Sequence, residues 1–185
     1  MAEGHSDDAT RRDFLYIATG AFTAVGAGFA AWPLIHQMNP AANVLAVSTT
    51  EVDLSPIEKG QSIKVFWQGK VVFVRHRTDE EIKEAVDVPL TDLKDKKSEN
   101  LDKKRASLSA EDINRAIKPE WLVVIGVCTH LGCIPLVNEG EYKGWFCPCH
   151  GSVYDTSGRI RKGPAPENLH IPPYDFTSDT KILIG

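Results

Sequence analysis

The sequence predicts a mainly β, antiparallel head held to a membrane by one N-terminal helix. Three observations predict this. Residues 14–50 contain no Asp, Glu, Lys or Arg, and residues 14–35 are their most apolar part. Two apolar runs, residues 63–67 and 71–75, flank Gly69 as the arms of a hairpin would. All four cysteines, Cys128, Cys133, Cys147 and Cys149, fall in two short boxes in the C-terminal third, a pattern of metal ligation, of a disulfide, or of both. A chain of 185 residues has room for one domain with a real core and not for two large ones. The net charge of -4 and the lack of a basic stripe argue against a nucleic-acid partner.

A helix over residues 14–35, at about 1.5 Å per residue, reaches about 33 Å and spans a hydrocarbon layer of about 30 Å. A cleaved signal peptide has an apolar core of about 7–15 residues followed by an Ala-x-Ala site. This run is longer and no such site follows it, so residues 14–36 read as a retained anchor. Arg11 and Arg12 precede it, and the next basic residue is Lys59. The positive-inside rule therefore leaves residues 1–13 in the cytoplasm and places the rest of the chain across the membrane. Thr10-Arg11-Arg12-Asp13-Phe14-Leu15 is similar to a twin-arginine export signal, a route for folded proteins; a purely topogenic arginine pair is the alternative. Gly20, Ala24 and Gly28 recur every four residues, which fits either close approach of another membrane helix or generic small-residue content. Residues 37–46 are uncharged, and residues 39–46 in particular read as a tether.

The head begins at about residue 47. After the hairpin, residues 121–127 form a continuous apolar run of strand length and residues 181–184 a last strand. Between hairpin and third strand lies a charged excursion, residues 79–120. Thr78 with Glu81 forms a capping box for a helix through Val86. Ser109 with Asp112 opens a second candidate helix, stopped by Pro119. The lysines and acids between them read as a solvated face.

The chemistry lies in the two boxes, Cys128-Thr129-His130-Leu131-Gly132-Cys133 and Cys147-Pro148-Cys149-His150-Gly151-Ser152. Each offers a thiolate and an imidazole. A zinc finger pairs like with like, two close cysteines and then two close histidines, whereas each pair here is mixed. A nucleophilic cysteine needs one activated thiol and gives no reason for four clustered ones. His5, His36, His76 and His170 stand outside both boxes and read as surface or structural residues.

The pattern Cys-x-His, sixteen residues, Cys-x-x-His resembles the Rieske family. From Arg11 to Gly185 the likeness extends to the iron–sulfur subunits of ubiquinol–cytochrome c reductases, taking in the arginine pair, the single anchor and the Gly163-Pro164-Ala165-Pro166 loop. The resemblance implies an antiparallel β-sandwich head over residues 47–185, with a two-loop cluster-binding part over about 127–168. It implies one 2Fe-2S cluster, with Cys128 and Cys147 on one iron and His130 and His150 on the other. It implies a Cys133–Cys149 disulfide between the loops, and a cover formed by Leu131, Gly163, Pro164 and Pro166. Ser152 and Tyr154 follow the second box closely enough for their hydroxyls to be expected to reach the cluster's sulfurs and tune its potential; ordinary loop polarity is the alternative. Many members carry histidine where this chain has Val153, which puts only local packing in question.

As implied, the head accepts an electron and a proton from ubiquinol at the cytochrome b subunit and passes the electron to a c-type cytochrome subunit. His150 occupies the catalytic place, its exposed edge meeting the quinol. The expected setting is a dimeric complex in the bacterial inner membrane, with the cluster domain periplasmic and a swinging head. Catalysis belongs to the complex, and the chain alone is an electron carrier. Charge counting supports a high potential: two ferric ions and two sulfides sum to +2, so two thiolates and two neutral imidazoles leave a neutral centre. Four thiolates would leave a dianion, which accepts an electron less readily. The established range for such centres, about -150 to +300 mV against about -400 mV for plant-type ferredoxins, agrees in direction. Two other readings remain open at this stage, the small Rieske subunit of a periplasmic molybdenum oxidase and a zinc-bound structural module.

Overall fold

The computed structural model describes residues 10–42, 44, 48–96 and 115–185. The chain divides into two units, one up to residue 45 and one from residue 46. The first is built on α1, Arg11–His36. It starts before the apolar run because Thr10 and Asp13 form a capping box: Thr10 Oγ1 accepts from the Asp13 N–H, and the Asp13 carboxylate accepts from the Thr10 N–H at 2.9 Å. Asp13, read above only as part of the export motif, therefore also sets the helix start. None of the helix's described side chains is buried, and α1 is the one helix among the described residues long and apolar enough to cross a membrane. Inside it, the Thr23 hydroxyl donates to the Thr19 carbonyl at 2.8 Å, so this polar group needs no water. In the tether, the Val44 N–H donates to the Ala41 carbonyl at 2.9 Å; residues 43 and 45–47 lie outside the described residues.

Among the described residues the second unit holds three antiparallel sheets. β1 (Thr50–Asp53), β9 (Tyr174–Ser178) and β10 (Lys181–Ile184) form the first, with β10 in the middle. β2 (Ser62–Trp67), β3 (Lys70–His76) and β4 (Trp121–Ile125) form the second, with β3 in the middle. β5 (Leu136–Val137), β6 (Trp145–Cys147), β7 (Ser152–Tyr154) and β8 (Ile160–Lys162) form the third in chain order. The expected hairpin is present. Trp67 pairs with Lys70 across Gln68 and Gly69, both at positive φ (48° and 74°), which suits the right-handed twist of the arms.

In the second sheet, β3 and β4 are buried on both faces. Val72, Val74, Trp121, Val123 and Ile125 point to a core shared with Val52, Ile171, Tyr174, Ile182 and Ile184 of the first-sheet side. The alternate residues Val71, Phe73, Leu122 and Val124 point to a second core containing Cys128, Trp145, Cys147, Tyr154, Ile160 and Leu169. Two buried faces explain why the β3 and β4 sequences run apolar without alternating. The sandwich inferred from the resemblance is present, extended by the third sheet that carries the cysteine boxes.

The predicted helix after Thr78 is α2, Asp79–Val86, with both halves of its capping box made. Glu81 does more than cap, since its carboxylate also pairs with the buried Arg75 of β3. A single 3-10 turn, Leu90–Asp92, follows. The second helix proposed from Ser109 and Asp112 lies outside the described residues.

Candidate metal centre

Each box folds into the same small loop. In the first, Gly132 N–H donates to the Cys128 carbonyl at 2.9 Å; in the second, Gly151 N–H donates to the Cys147 carbonyl at 3.0 Å. Gly132 and Gly151 sit at φ of 84° and 76°, a left-handed conformation that side-chain-bearing residues rarely adopt. The first loop is closed further by the Cys128 N–H donating to the Cys133 carbonyl at 2.8 Å. Inside each turn, backbone N–H groups aim at the cysteine sulfur: that of His130 at Cys128, and those of Cys149 and His150 at Cys147.

The two loops meet. The rings of His130 and His150 are 4.6 Å apart and nearly perpendicular, at 85°. Cys128 and Cys147, from the same two loops, are buried free thiols. Cys133 and Cys149, separated by 16 positions in sequence, are joined by a disulfide with Cα atoms 6.9 Å apart. A crosslink over such a separation contributes about 3 kcal/mol in the chain-entropy model. The Cys147 sulfur also lies within 4.8 Å of the sulfurs of Cys133 and Cys149, but those two are engaged in the disulfide and offer no thiolate. Four donors therefore remain, two sulfurs and two imidazoles.

These donors fit a cation-bearing cluster. His130 Nδ1 is buried with no hydrogen-bond partner among the described residues, the condition of a nitrogen that faces a metal. Burial alone raises the Cys128 thiol. Hydrogen bonds from the Tyr154 hydroxyl, the His130 N–H, Cys147 and Ser152 outweigh it and hold the thiol below its usual value. Cys147 is pushed up, first by burial and then by Cys128 beside it. Two adjacent thiols that cannot both ionise cheaply are what a bound cation relieves.

The Tyr154 hydroxyl donates to Cys128 Sγ at 3.3 Å, and burial together with this bond raises its own pKa, so it stays a protonated donor. Ser152 is buried, and its Oγ accepts from the Ala165 N–H at 3.2 Å. Gly163 packs so tightly on the second box that a Cβ there would fall 2.5 Å from Ser152 Cα. The four expected cover residues, Leu131, Gly163, Pro164 and Pro166, are all exposed, and between the two prolines Ala165 is buried. Val153 packs toward Gly140. Thr129, not singled out from sequence, joins the first box to the Pro loop by donating from Oγ1 to the Glu167 carbonyl at 2.6 Å. Its place inside the box was the one signal available. A cavity of about 500 Å³ lined by Glu84, Tyr142, Arg159 and Arg161 contains none of the four donors.

Fold and donor set together define a Rieske iron–sulfur protein. A family model described as "Rieske [2Fe-2S] domain" matches residues 54–174, and one described as "Ubiquitinol-cytochrome C reductase Fe-S subunit TAT signal" matches residues 1–41. Ubiquinol–cytochrome c reductase iron–sulfur subunits are similar over the whole length. That of Bradyrhizobium diazoefficiens is 56 % identical over 97 % of both chains, and that of Rhodobacter capsulatus is 49 % identical over 100 % of both. A chain of a solved hyperthermophilic respiratory Complex III is 28 % identical, with a TM-score of 0.52, covering 90 % of this chain and 98 % of that one. The chain belongs to the family of ubiquinol–cytochrome c reductase iron–sulfur subunits, membrane-anchored electron-transfer subunits that carry a Rieske [2Fe-2S] cluster. The full-length match decides against the molybdenum-oxidase reading, the [2Fe-2S] domain match against the zinc module, and the signal match in favour of twin-arginine export.

Proposed function

We propose that Cys128 and Cys147 hold one iron through sulfur and that His130 and His150 hold the other through nitrogen. The head, linked by residues 37–46 to an anchor whose N-terminus is cytoplasmic, lies in the periplasm of a bacterial cell. There it takes electrons from ubiquinol at a cytochrome b subunit and delivers them to a c-type cytochrome, within a dimeric complex. When bound, the cluster supplies reversible one-electron chemistry. The protein's own groups do the rest. His130 presents its buried Nδ1 inward, which leaves its other ring nitrogen outward. His150 is exposed, so its iron-free ring nitrogen can exchange a proton with a quinol hydroxyl. Leu131 and Ile134, exposed in and just after the first box, offer apolar surface for a docked quinol. Tyr154, and Ser152 beside it, direct hydroxyls at the sulfur side.

One observation carries this reading: the imidazoles of the two boxes meet edge to face, the same two boxes each keep one buried free thiol, and the other two cysteines are spent in a crosslink. Substitution tests it. Cys147→Ser and His150→Ala should each abolish the cluster, seen as loss of bound iron, acid-labile sulfide and the paramagnetic resonance signal of the reduced protein. Full iron and sulfide in either variant would refute the ligand assignment.

A further inference from the structure

By sequence, the charged excursion between β3 and β4 reads as a solvated face. The structure turns part of it onto the metal centre. Lys94 Nζ donates to the Gly163 carbonyl at 3.1 Å and to the Ala165 carbonyl at 2.7 Å. Its neighbours fix the approach. Leu93 is buried, and the Asp95 carboxylate accepts from the Asn168 N–H at 2.9 Å. Asn168 Nδ2 in turn donates to the Asp95 carbonyl at 3.2 Å.

The Pro loop needs an outside donor. Of residues 163–166, Pro164 and Pro166 have no N–H, and the Ala165 N–H is committed to Ser152 Oγ. The loop therefore cannot satisfy its own carbonyls by regular pairing. A single ammonium bridging two of them, two residues apart, fixes the loop's backbone with charge-assisted bonds, which are stronger than neutral ones. The pinned segment is the one that touches the second box, through Gly163 on the Ser152 and Gly151 backbone and through Ala165 on the Ser152 hydroxyl. An Oγ that accepts from Ala165 has its own hydrogen oriented away from that bond, toward the sulfur side.

We infer that Lys94 is a positioning residue of the metal centre: its ammonium clamps the Pro loop onto the second cysteine–histidine box and so sets both the potential of the bound cluster and its shielding from water. The inference rests on the ligand assignment proposed above. Lys94→Met removes clamp and charge together. The Ser152 hydroxyl loses its orientation and a nearby positive charge disappears, and both changes disfavour the reduced state. Lys94→Arg keeps the charge and the donors.

The test uses the full chain in its complex, with wild type measured first: a wild-type chain lacking the reduced-cluster resonance signal would fail the ligand reading, not this one. In Lys94→Met the reduction equilibrium constant should fall about three- to tenfold, a fraction of what a charge-assisted hydrogen bond is worth. Its resonance line shape should change, and iron should pass to a chelator several-fold faster. Lys94→Arg should restore both properties. A Lys94→Met protein with wild-type potential and iron retention would overturn the inference, as would one that merely unfolds at lower temperature with its potential unchanged. If Lys94→Met binds no cluster, Lys94→Arg decides: near-wild-type potential and retention support the clamp, and equal loss overturns it.

Discussion

The two faces of the β2-β3-β4 sheet make different kinds of core. On one, Val72, Val74 and Val123 meet Val52, Ile182 and Ile184, and the packing is built from aliphatic and aromatic side chains. On the other, Val71, Phe73 and Val124 meet Cys128, Cys147 and Tyr154, so the core itself contains two free thiols and a hydroxyl donor. The third sheet above that second core is made of strands of two or three residues, each too short to hold itself. A disulfide and buried polar bonds hold it instead. The comparison shows one sheet serving as a rigid floor, with stability contributed on one side and chemistry on the other.

The comparison can be broken most strongly at Asp155. Its buried Oδ1 accepts from the N–H groups of Ser157 and Arg159, both at 3.0 Å, and Oδ2 accepts from Arg159 Nε at 2.8 Å. Arg159 is equally buried, and its two terminal nitrogens find no partner among the described residues. Asp155→Ala would leave that charge uncompensated and should cost about 3–5 kcal/mol, measured by denaturant unfolding. A loss under about 1 kcal/mol, the size of a surface pair, would mean that the polar network does not hold the third sheet.

A smaller effect separates chemistry from packing. Tyr154→Phe removes the hydrogen bond to Cys128 Sγ and keeps the ring. Hydrogen bonds to charged groups are worth about 1.5–3 kcal/mol, and about 1.4 kcal/mol corresponds to about 59 mV for one electron. Only the difference between redox states counts, so the midpoint should fall by tens of millivolts, up to about 100 mV, with the cluster retained. An unchanged midpoint in a redox titration would show that the hydroxyl only packs. The smallest change probes the other face. Ile182→Val, in the opposite core, should lower stability by about 0.5–1.5 kcal/mol and leave the midpoint where it was. A shifted midpoint there would show that the two faces are not independent.

What could be read in advance follows the same division. The β2–β3 hairpin, the Thr78–Glu81 box, the last strand and the two cysteine–histidine boxes are local patterns, complete within a few residues. β1, β9 and the short strands of the third sheet were not legible, because two to five residues carry no period to detect. Nor were contacts joining distant residues: Arg75 with Asn138, Thr129 with Glu167, and Lys94 with the Pro loop, the last across 69 to 71 residues. The two mixed cysteine–histidine pairs could be read from the boxes themselves, whereas the ligand set and the Cys133–Cys149 disulfide came from family resemblance; the disulfide is seen directly in the structure.

The proposed centre is ligated by two sulfurs and two histidine nitrogens. The measurement that tests this ligation most directly is electron–nuclear double resonance on the reduced cluster in the wild-type chain, with histidine labelled by nitrogen-15. Two strongly coupled histidine nitrogens, from His130 and His150, are the result the account predicts. A reduced cluster with no strongly coupled histidine nitrogen would mean all-sulfur ligation and would contradict it.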